Sequence, residues 1–389
     1  MLKVALLATD NRENDHNYSP PIPYFGAAPS ALLEGFAVCP EIEVHVMSCT
    51  QKPLSSPQKL NHNIWFHSLH VPKIGWLRSG YAGCVLAVRR KLREIRPSLV
   101  HGQGTERDCG ISAAFSGFPN VITIHGNMAE LARMFHAPWG SFRSLASWLE
   151  NFTLPRTGGV LCNSLYTQSL VAPRAKKTWL VPNPIRSSFF APISRSSHPN
   201  QVPVFLVIGV ISQRKRQLEI FRQLRQFFSQ NIRFHVRFIG ECGHDPYGRS
   251  FRQALQEVES LGWASAPGVM SEADLVREMD AADALIHFPS EESFGLVVAE
   301  SLARGLQLFA SNVGGIPDIA AAIPGAQLFH PEDWRGLQKA LQEWLSRGVP
   351  SPASPANPME SRYHPRVIAR QHLEIYRDVL ADAGHYNPK

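Results

Sequence analysis

Apolar runs of three to five residues alternate with longer helix-compatible segments along most of this chain, in two consecutive sets. The first set comprises Val4–Ala8, Val44–Met47, Ile64–His67, Leu99–His101, Val121–Ile124 and Val160–Cys162, interleaved with Pro29–Ala37, Val85–Ile95 and Phe142–Asn151. Runs this short, apolar on both faces, are the pattern of strands buried in a parallel sheet with helices on either side. The alternation therefore predicts an α/β fold. A polar, Pro-rich passage from Pro182 to Pro203 reads as a linker. The pattern restarts at Val204–Ile208 and continues through Val236–Ile239, Ala284–Phe288 and Gln307–Ala310. At 389 residues the chain exceeds one ordinary core, so two domains are expected. A second loose stretch, Gly348–Pro358, carries four prolines and precedes a last amphipathic segment, Val367–Leu380.

Composition narrows the function classes. Hydrophobic residues at 44% and charged residues at 18% exclude wholesale disorder. No apolar run approaches the roughly 20 residues of a membrane span. Met1–Ala8 reads as a first strand rather than a signal peptide. Cys39, Cys49, Cys84, Cys109, Cys162 and Cys242 show no metal or redox spacing, and a reduced cytosol is the simplest compartment. Residues 1–190 carry 19 Lys and Arg against 11 Asp and Glu, a formal +8, and the remainder 20 against 21, or −1. The cluster Arg89, Arg90, Lys91, Arg93 and Arg96, near Trp76 and Leu77 read as exposed, suits an anionic membrane surface. A solvated helix face explains the same charges. No recognition motif accompanies them, so a nucleic-acid partner is not expected.

The chemistry concentrates in Pro289–Glu300 and Ser311–Asp318. Ala284–Phe288 reads as a buried strand, Phe294-Gly295 as a tight turn, and Leu296–Ala303 as a helix. The first N–H groups of that helix would point beyond the strand's carboxyl end, which makes an anion site. Glu292 and Glu300, seven residues apart between them, would be repelled by phosphate and are suited to the hydroxyls of a sugar or ribose. The combination reads as a nucleotide-sugar site.

The run Pro289-Ser-Glu-Glu-Ser-Phe-Gly-Leu296 followed by Glu300 resembles the Glu-x7-Glu signature of retaining glycosyltransferases of the GT-B fold, most closely glycosyltransferase family 4. Ser293 replaces the usual Gly and Ser301 the usual Ala. Gly314-Gly315-Ile-Pro-Asp318 fits downstream. The resemblance implies two Rossmann-like domains facing across a cleft: residues 1–185 for the acceptor, 186–365 for the nucleotide-sugar donor, and a helix from 366–389 returning to the first. It implies that Lys215, after Gly209, holds the donor diphosphate together with N–H groups of Gly295, Leu296 and Val297. Val210 stands where the family has Arg, and Arg214 or Arg216 is the candidate replacement. Glu300 would bind the ribose and Glu292 the sugar hydroxyls, with Ser293 and Phe294 in the same loop. Ile239-Gly240-Glu241 ends a strand where the family has Gly-x-Gly, and Leu261-Gly262 resembles the strand end that helps frame the nucleotide base. Asn163-Ser164 and Val181-Pro-Asn-Pro184 resemble the family's Ser loop and Pro-Asn hinge, with Pro184 for the usual Gly, and read as structural turns.

In the first domain Thr123-Ile-His125-Gly126 resembles the family's Thr-x-His-Gly, placing His125 near the donor sugar. His101-Gly-Gln103 resembles its His-x-His, with the second His absent. Gly26 is what remains of its Gly-Gly loop. The implied reaction is transfer of a sugar to an acceptor glycan or lipid-linked sugar with retained anomeric configuration. Neither metal nor cofactor is expected, since no Asp-x-Asp occurs. The alternatives are a nucleotide-sugar epimerase of the same fold, a dinucleotide-dependent oxidoreductase, a non-catalytic Rossmann-like binder, and a transferase weakened by the missing Arg and Gly-Gly loop. The Gly102-Gln-Gly104 that would support a dinucleotide site lacks its third glycine, Arg107 standing there.

Overall fold

The computed structural model describes residues 1–193, 202–347 and 358–384. The chain divides into two compact units, Met1–Arg186 with Tyr363–Lys389, and Ser187–Arg362. The first is built on eight strands: β1 (Leu2–Leu7), β2 (Ile42–Thr50), β3 (Lys59–Asn61), β4 (Ile64–His70), β5 (Leu99–Gln103), β6 (Asn120–Ile124), β7 (Val160–Cys162) and β8 (Thr178–Leu180). They lie in the order β3-β4-β2-β1-β5-β6-β7-β8. All pairs are parallel except β3 with β4. The second unit has six parallel strands: β9 (Val204–Ile208), β10 (His235–Ile239), β11 (Ala264–Gly268), β12 (Ala284–His287), β13 (Gln307–Ser311) and β14 (Ala326–Phe329). Their order is β11-β10-β9-β12-β13-β14. Each sheet reverses its winding beside its own first strand, and ligands of open α/β sheets bind beyond the carboxyl ends at such points.

The helices that matter below are α1 (Ala27–Ala37), α2 (Ala82–Ile95), α3 (Asp108–Ala114), α4 (Phe142–Thr153), α5 (Gln217–Ser229), α6 (Leu296–Ala303) and α7 (Pro365–Asp382). α7 closes the first unit's core, burying Ile368, Leu373, Tyr376 and Leu380 against Phe36, Leu32 and Val44. The approach of α1 to α7 depends on Gly35, where a Cβ would lie 2.2 Å from the Pro365 carbonyl oxygen. The second core is aromatic-rich, with Phe221, Phe228 and Phe234 gathered round the buried Trp263.

Two readings need correction. Trp76 is buried, because its indole N–H donates to the Val71 carbonyl at 2.9 Å and its ring packs edge-on to Tyr81. The passage read as a linker is anchored where it is described: Phe189 is fully buried, and Arg304 donates to the carbonyls of Phe189, Ala191 and Pro192 while clamping Asp280. Residues 194–201 of that passage, and residues 348–357 of the second loose stretch, lie outside the described residues.

Candidate functional site

In the second unit the chemistry gathers where β9, β10 and β12 end. Leaving β9, Gly209 adopts φ +138° and Gly240, after β10, φ +146°. A Cβ on Gly240 would sit 2.2 Å from the Gly209 carbonyl oxygen, so the two strand ends touch backbone to backbone. This opens room for the loop from Val210 to Arg216. That loop docks on the one after β12: Ser290 N–H donates to the Arg214 carbonyl at 2.8 Å, and Arg214 Nη1 donates to the Glu291 carbonyl at 3.0 Å and to Glu291 Oε2 at 3.2 Å. The docking brings Lys215 Nζ onto Glu292 Oε2, which also receives His287 Nε2 at 3.1 Å.

Glu292 is the charged centre of this cluster. Burial by itself would raise its pKa, but Lys215, the His287 hydrogen bond and Arg214 outweigh burial and hold the carboxyl well below the usual range. Burial, with Lys215 nearby, depresses His287 and keeps it a neutral N–H donor. The backbone of Glu292 is held as firmly: its carbonyl accepts from Gly315 N at 2.9 Å. Gly314, at φ +57°, has no room for a Cβ, which would fall 1.7 Å from that same carbonyl oxygen.

Beyond Glu292, Ser293 and Phe294 are buried, and Gly295 at φ +101° turns the chain into α6. Leu296 and Val297 open α6, and the first N–H groups of a helix have no intrahelical acceptor. Glu300 lies in the second turn and is 5% exposed. The structure thus brings Gly209, Gly240, Arg214, Lys215, Glu292, Ser293, Phe294 and Gly295 to one end of one sheet. Arg216 turns away to Pro331 and Glu332, and Val210 is solvent-exposed. Gly262 is a correction. It precedes β11, at the sheet's amino edge, and the residue at that strand's carboxyl end is Gly268, whose carbonyl accepts from Gly240 N at 2.9 Å.

In the first unit His125 follows β6, half-buried, its Nε2 2.8 Å from Gln103 Oε1. Burial lowers its pKa to about 4, against a hydrogen bond with Asn183. His101 is also a correction as a lining residue. It has no exposed surface, with Nδ1 2.7 Å from the Tyr376 hydroxyl and Nε2 2.7 Å from Thr123 Oγ1 and 3.1 Å from Gln103 Nε2. Because Gln103 accepts from His125 through oxygen and donates to His101 through nitrogen, His125 carries its proton on Nε2 and His101 on Nδ1. Gly26 caps α1 in open space, where a Cβ would meet only Pro29 Cδ at 3.7 Å.

Three residues escaped the sequence reading. His287 was hidden as the polar end of an apolar run, a position that signals a ligand-facing strand end. Glu291, to which the motif assigned no role, holds Arg214. Glu106 accepts from Gly126 N at 2.8 Å, beside His125, and burial pushes its carboxyl up to about 7.

Two family models match consecutive stretches: Glycosyltransferase Family 4 over residues 40–189 and Glycosyl transferases group 1 over residues 192–358. The chain belongs to the GT-B glycosyltransferases of the group 1, family 4 type. Among solved structures it is similar to sucrose-phosphate synthase from Thermosynechococcus elongatus, at 19% identity over 98% of this chain and 100% of that one, with a TM-score of 0.74. It is also similar to Anabaena HepE in complex with UDP and glucose, at 17% identity over 96% and 99% of the two chains, with a TM-score of 0.70. Among curated relatives, N-acetyl-alpha-D-glucosaminyl L-malate synthase of Bacillus anthracis is 30% identical over 35% of this chain. The curated relatives are matched over 36% to 55% of their own length.

Proposed function

We propose that the protein transfers a sugar from a nucleoside-diphosphate sugar to an acceptor hydroxyl, with retention of anomeric configuration. The observation that carries this reading is the Lys215–Glu292–His287 cluster set against the start of α6 at the carboxyl end of β12. Lys215 and the first N–H groups of α6 hold the diphosphate and stabilise the charge that grows on it as the glycosidic bond breaks. Glu292, ionised and accepting only, takes hydrogen bonds from sugar hydroxyls, and Glu300 takes the ribose. Arg214 replaces the cation that the family carries at position 210. His125 is the first unit's candidate for substrate contact. With the leaving-group charge met by cations and helix N–H groups, the reading assigns the reaction neither a divalent metal nor a cofactor. The acceptor is a glycan or lipid-linked sugar.

A peripheral membrane location is part of the proposal. Leu86, 67% exposed, lies on the face of α2 that carries Arg89, Arg90 and Arg93, opposite buried Cys84, Val88 and Leu92. An exposed apolar residue within a basic stripe suits an anionic lipid surface. Among the described residues no helix is long and apolar enough to cross a membrane.

The test is a panel of nucleoside diphosphates in a thermal-shift assay, followed by turnover of the matching sugar donors in chelator with the product anomer assigned by NMR. A retained anomer formed in chelator supports the reading. Inversion of configuration, or a nucleotide panel that leaves the melting midpoint unmoved, overturns it.

A further inference from the structure

Far from the donor residues, three side chains that sequence spacing kept apart meet inside the first unit. Cys49 lies near the end of β2, Cys84 in the first turn of α2, and Asp108 at the start of α3. All three are buried, and their two sulfurs and nearest carboxylate oxygen lie within 4.8 Å of one another. The surroundings are apolar, walled by Trp76, Tyr81 and Val88.

Asp108 is the anomaly. A carboxylate buried in an apolar core ordinarily has a cation or several strong donors. The adjacent Arg107 turns outward instead, its Nη1 3.2 Å from Asn14 Oδ1, its Nη2 4.0 Å from Glu13 and its guanidinium over the Trp76 ring. Among the described residues no cationic side chain comes within 4.0 Å of Asp108; Arg107 acts on it only through space, and its carboxyl meets its own backbone N–H and the Cys49 thiol, with Cys84 beside them.

We propose that Cys49, Cys84 and Asp108 form a binding site for one soft divalent metal ion, Zn2+ in chemical class. Two thiolates and one carboxylate around a tetrahedral ion would stand roughly 3.5–4 Å apart, given bonds of about 2.3 Å to sulfur and about 2 Å to oxygen. The three ligand atoms, within 4.8 Å of one another, would have to close by up to about 1 Å to reach that spacing. Sulfur ligands select Zn2+, Cd2+ or Co2+ over Mg2+ and Ca2+, which take oxygen. The ion supplies the positive charge that Asp108 lacks, and each thiol gives up its proton on binding. The fourth position is left to water or a backbone carbonyl. The ion ties β2 to the amino ends of α2 and α3 and acts structurally, apart from the transfer chemistry.

The probe is Co2+, titrated into the full chain after reduction and chelator treatment. A thiolate-to-cobalt absorption band saturating at one ion per chain is expected, with a melting midpoint that rises with ion concentration. Cys84→Ser should abolish the band, and Asp108→Asn should weaken binding by about tenfold or more. Wild-type chain that shows no thiolate band overturns the proposal, whatever the variants do. So does a band that survives Cys84→Ser, or one that disappears in Cys242→Ser, which would place the ion on the half-buried thiol of the second unit. Circular dichroism and the nucleotide-induced shift of Cys84→Ser show whether that variant keeps its fold.

Discussion

Charge placement at single residues decides what the second unit can do. Glu300→Ala should weaken nucleoside-diphosphate binding by about 1.5–3 kcal/mol through loss of a hydrogen-bonded charge, and calorimetry on the folded variant checks it. Equal affinities would remove Glu300 from the ribose. Lys215→Ala should depress kcat more than it raises KM, because the diphosphate gains charge in the transition state. Arg214→Ala should cost more turnover than Arg216→Ala, since Arg214 sits against Glu291 within the cluster while Arg216 faces Glu332. The reverse ranking would reassign the missing cation. Lys215 also bears on stability. The folded carboxyl of Glu292 titrates below its unfolded value, so its contribution is present above the ordinary carboxylate range and is lost as pH falls through the folded pKa. Without Lys215 the depression shrinks, and the acid unfolding midpoint of the variant should move to higher pH.

At the scale of elements, α7 and the ends of β5 and β6 share a layer of histidines, His101 and His372 buried and His125 half-buried. His125 and His372 are lowered to about 4 by burial, and His101 lies well below its ordinary value for the same reason. Each binds its proton more readily when unfolded. Their stabilisation is therefore complete above about pH 6.5, the unfolded value, and is lost as pH falls toward about 4. Glu106 acts oppositely: raised to about 7, it favours the fold below the ordinary carboxylate range and loses that contribution as pH rises toward 7. With His45 and His67 also lowered by burial, five histidines stand against the two raised carboxyls, Glu106 and Asp108, so the first unit should lose stability between about pH 6.5 and about 4. His372→Gln should flatten that slope, as denaturant melts across the range would show; an unchanged slope would take His372 out of the linkage. The sequence pattern located these strands and α7. It did not show Gln103 as the bridge between His125 and His101: alternation puts Gln103 on the same face as His101, but only the pairing of β5 with β6 brings His125 alongside.

For the whole molecule, each unit carries its own core, and the first draws residues from both ends of the chain. Ending the chain at residue 362 should unfold the first unit by stripping α7 from Leu32, Phe36 and Val44. The second unit, cut from the chain as 187–362, is the piece in which nucleotide binding should persist. Vesicle sedimentation tests the proposed surface: binding should rise with anionic lipid and fall near 0.5 M salt, where the Debye length is well below about 8 Å. Charge reversal at Arg89, Arg90 and Lys91 should abolish it with nucleotide affinity intact. Failure to sediment at low salt would favour a soluble acceptor.

Local sequence was enough for the buried central strands, for α6 and for the turn at Gly295, because apolar periodicity and glycine conformation are properties of neighbouring residues, but the short strands β3, β8, β11 and β14 carried no apolar run of their own. It also placed Lys215 and Glu292 near the same strand ends. What it could not supply was direction and distance. Gly262 precedes β11 and Gly268 ends it, and no apolar run in Ala264–Gly268 marked that strand for the sequence reading. Trp76 reads as exposed until its N–H is seen to reach Val71. Cys49, Cys84 and Asp108 lie 35 and 24 residues apart, and no spacing rule joins them. They meet because β2, α2 and α3 pack together, a consequence of long-range burial that the tertiary structure alone decides.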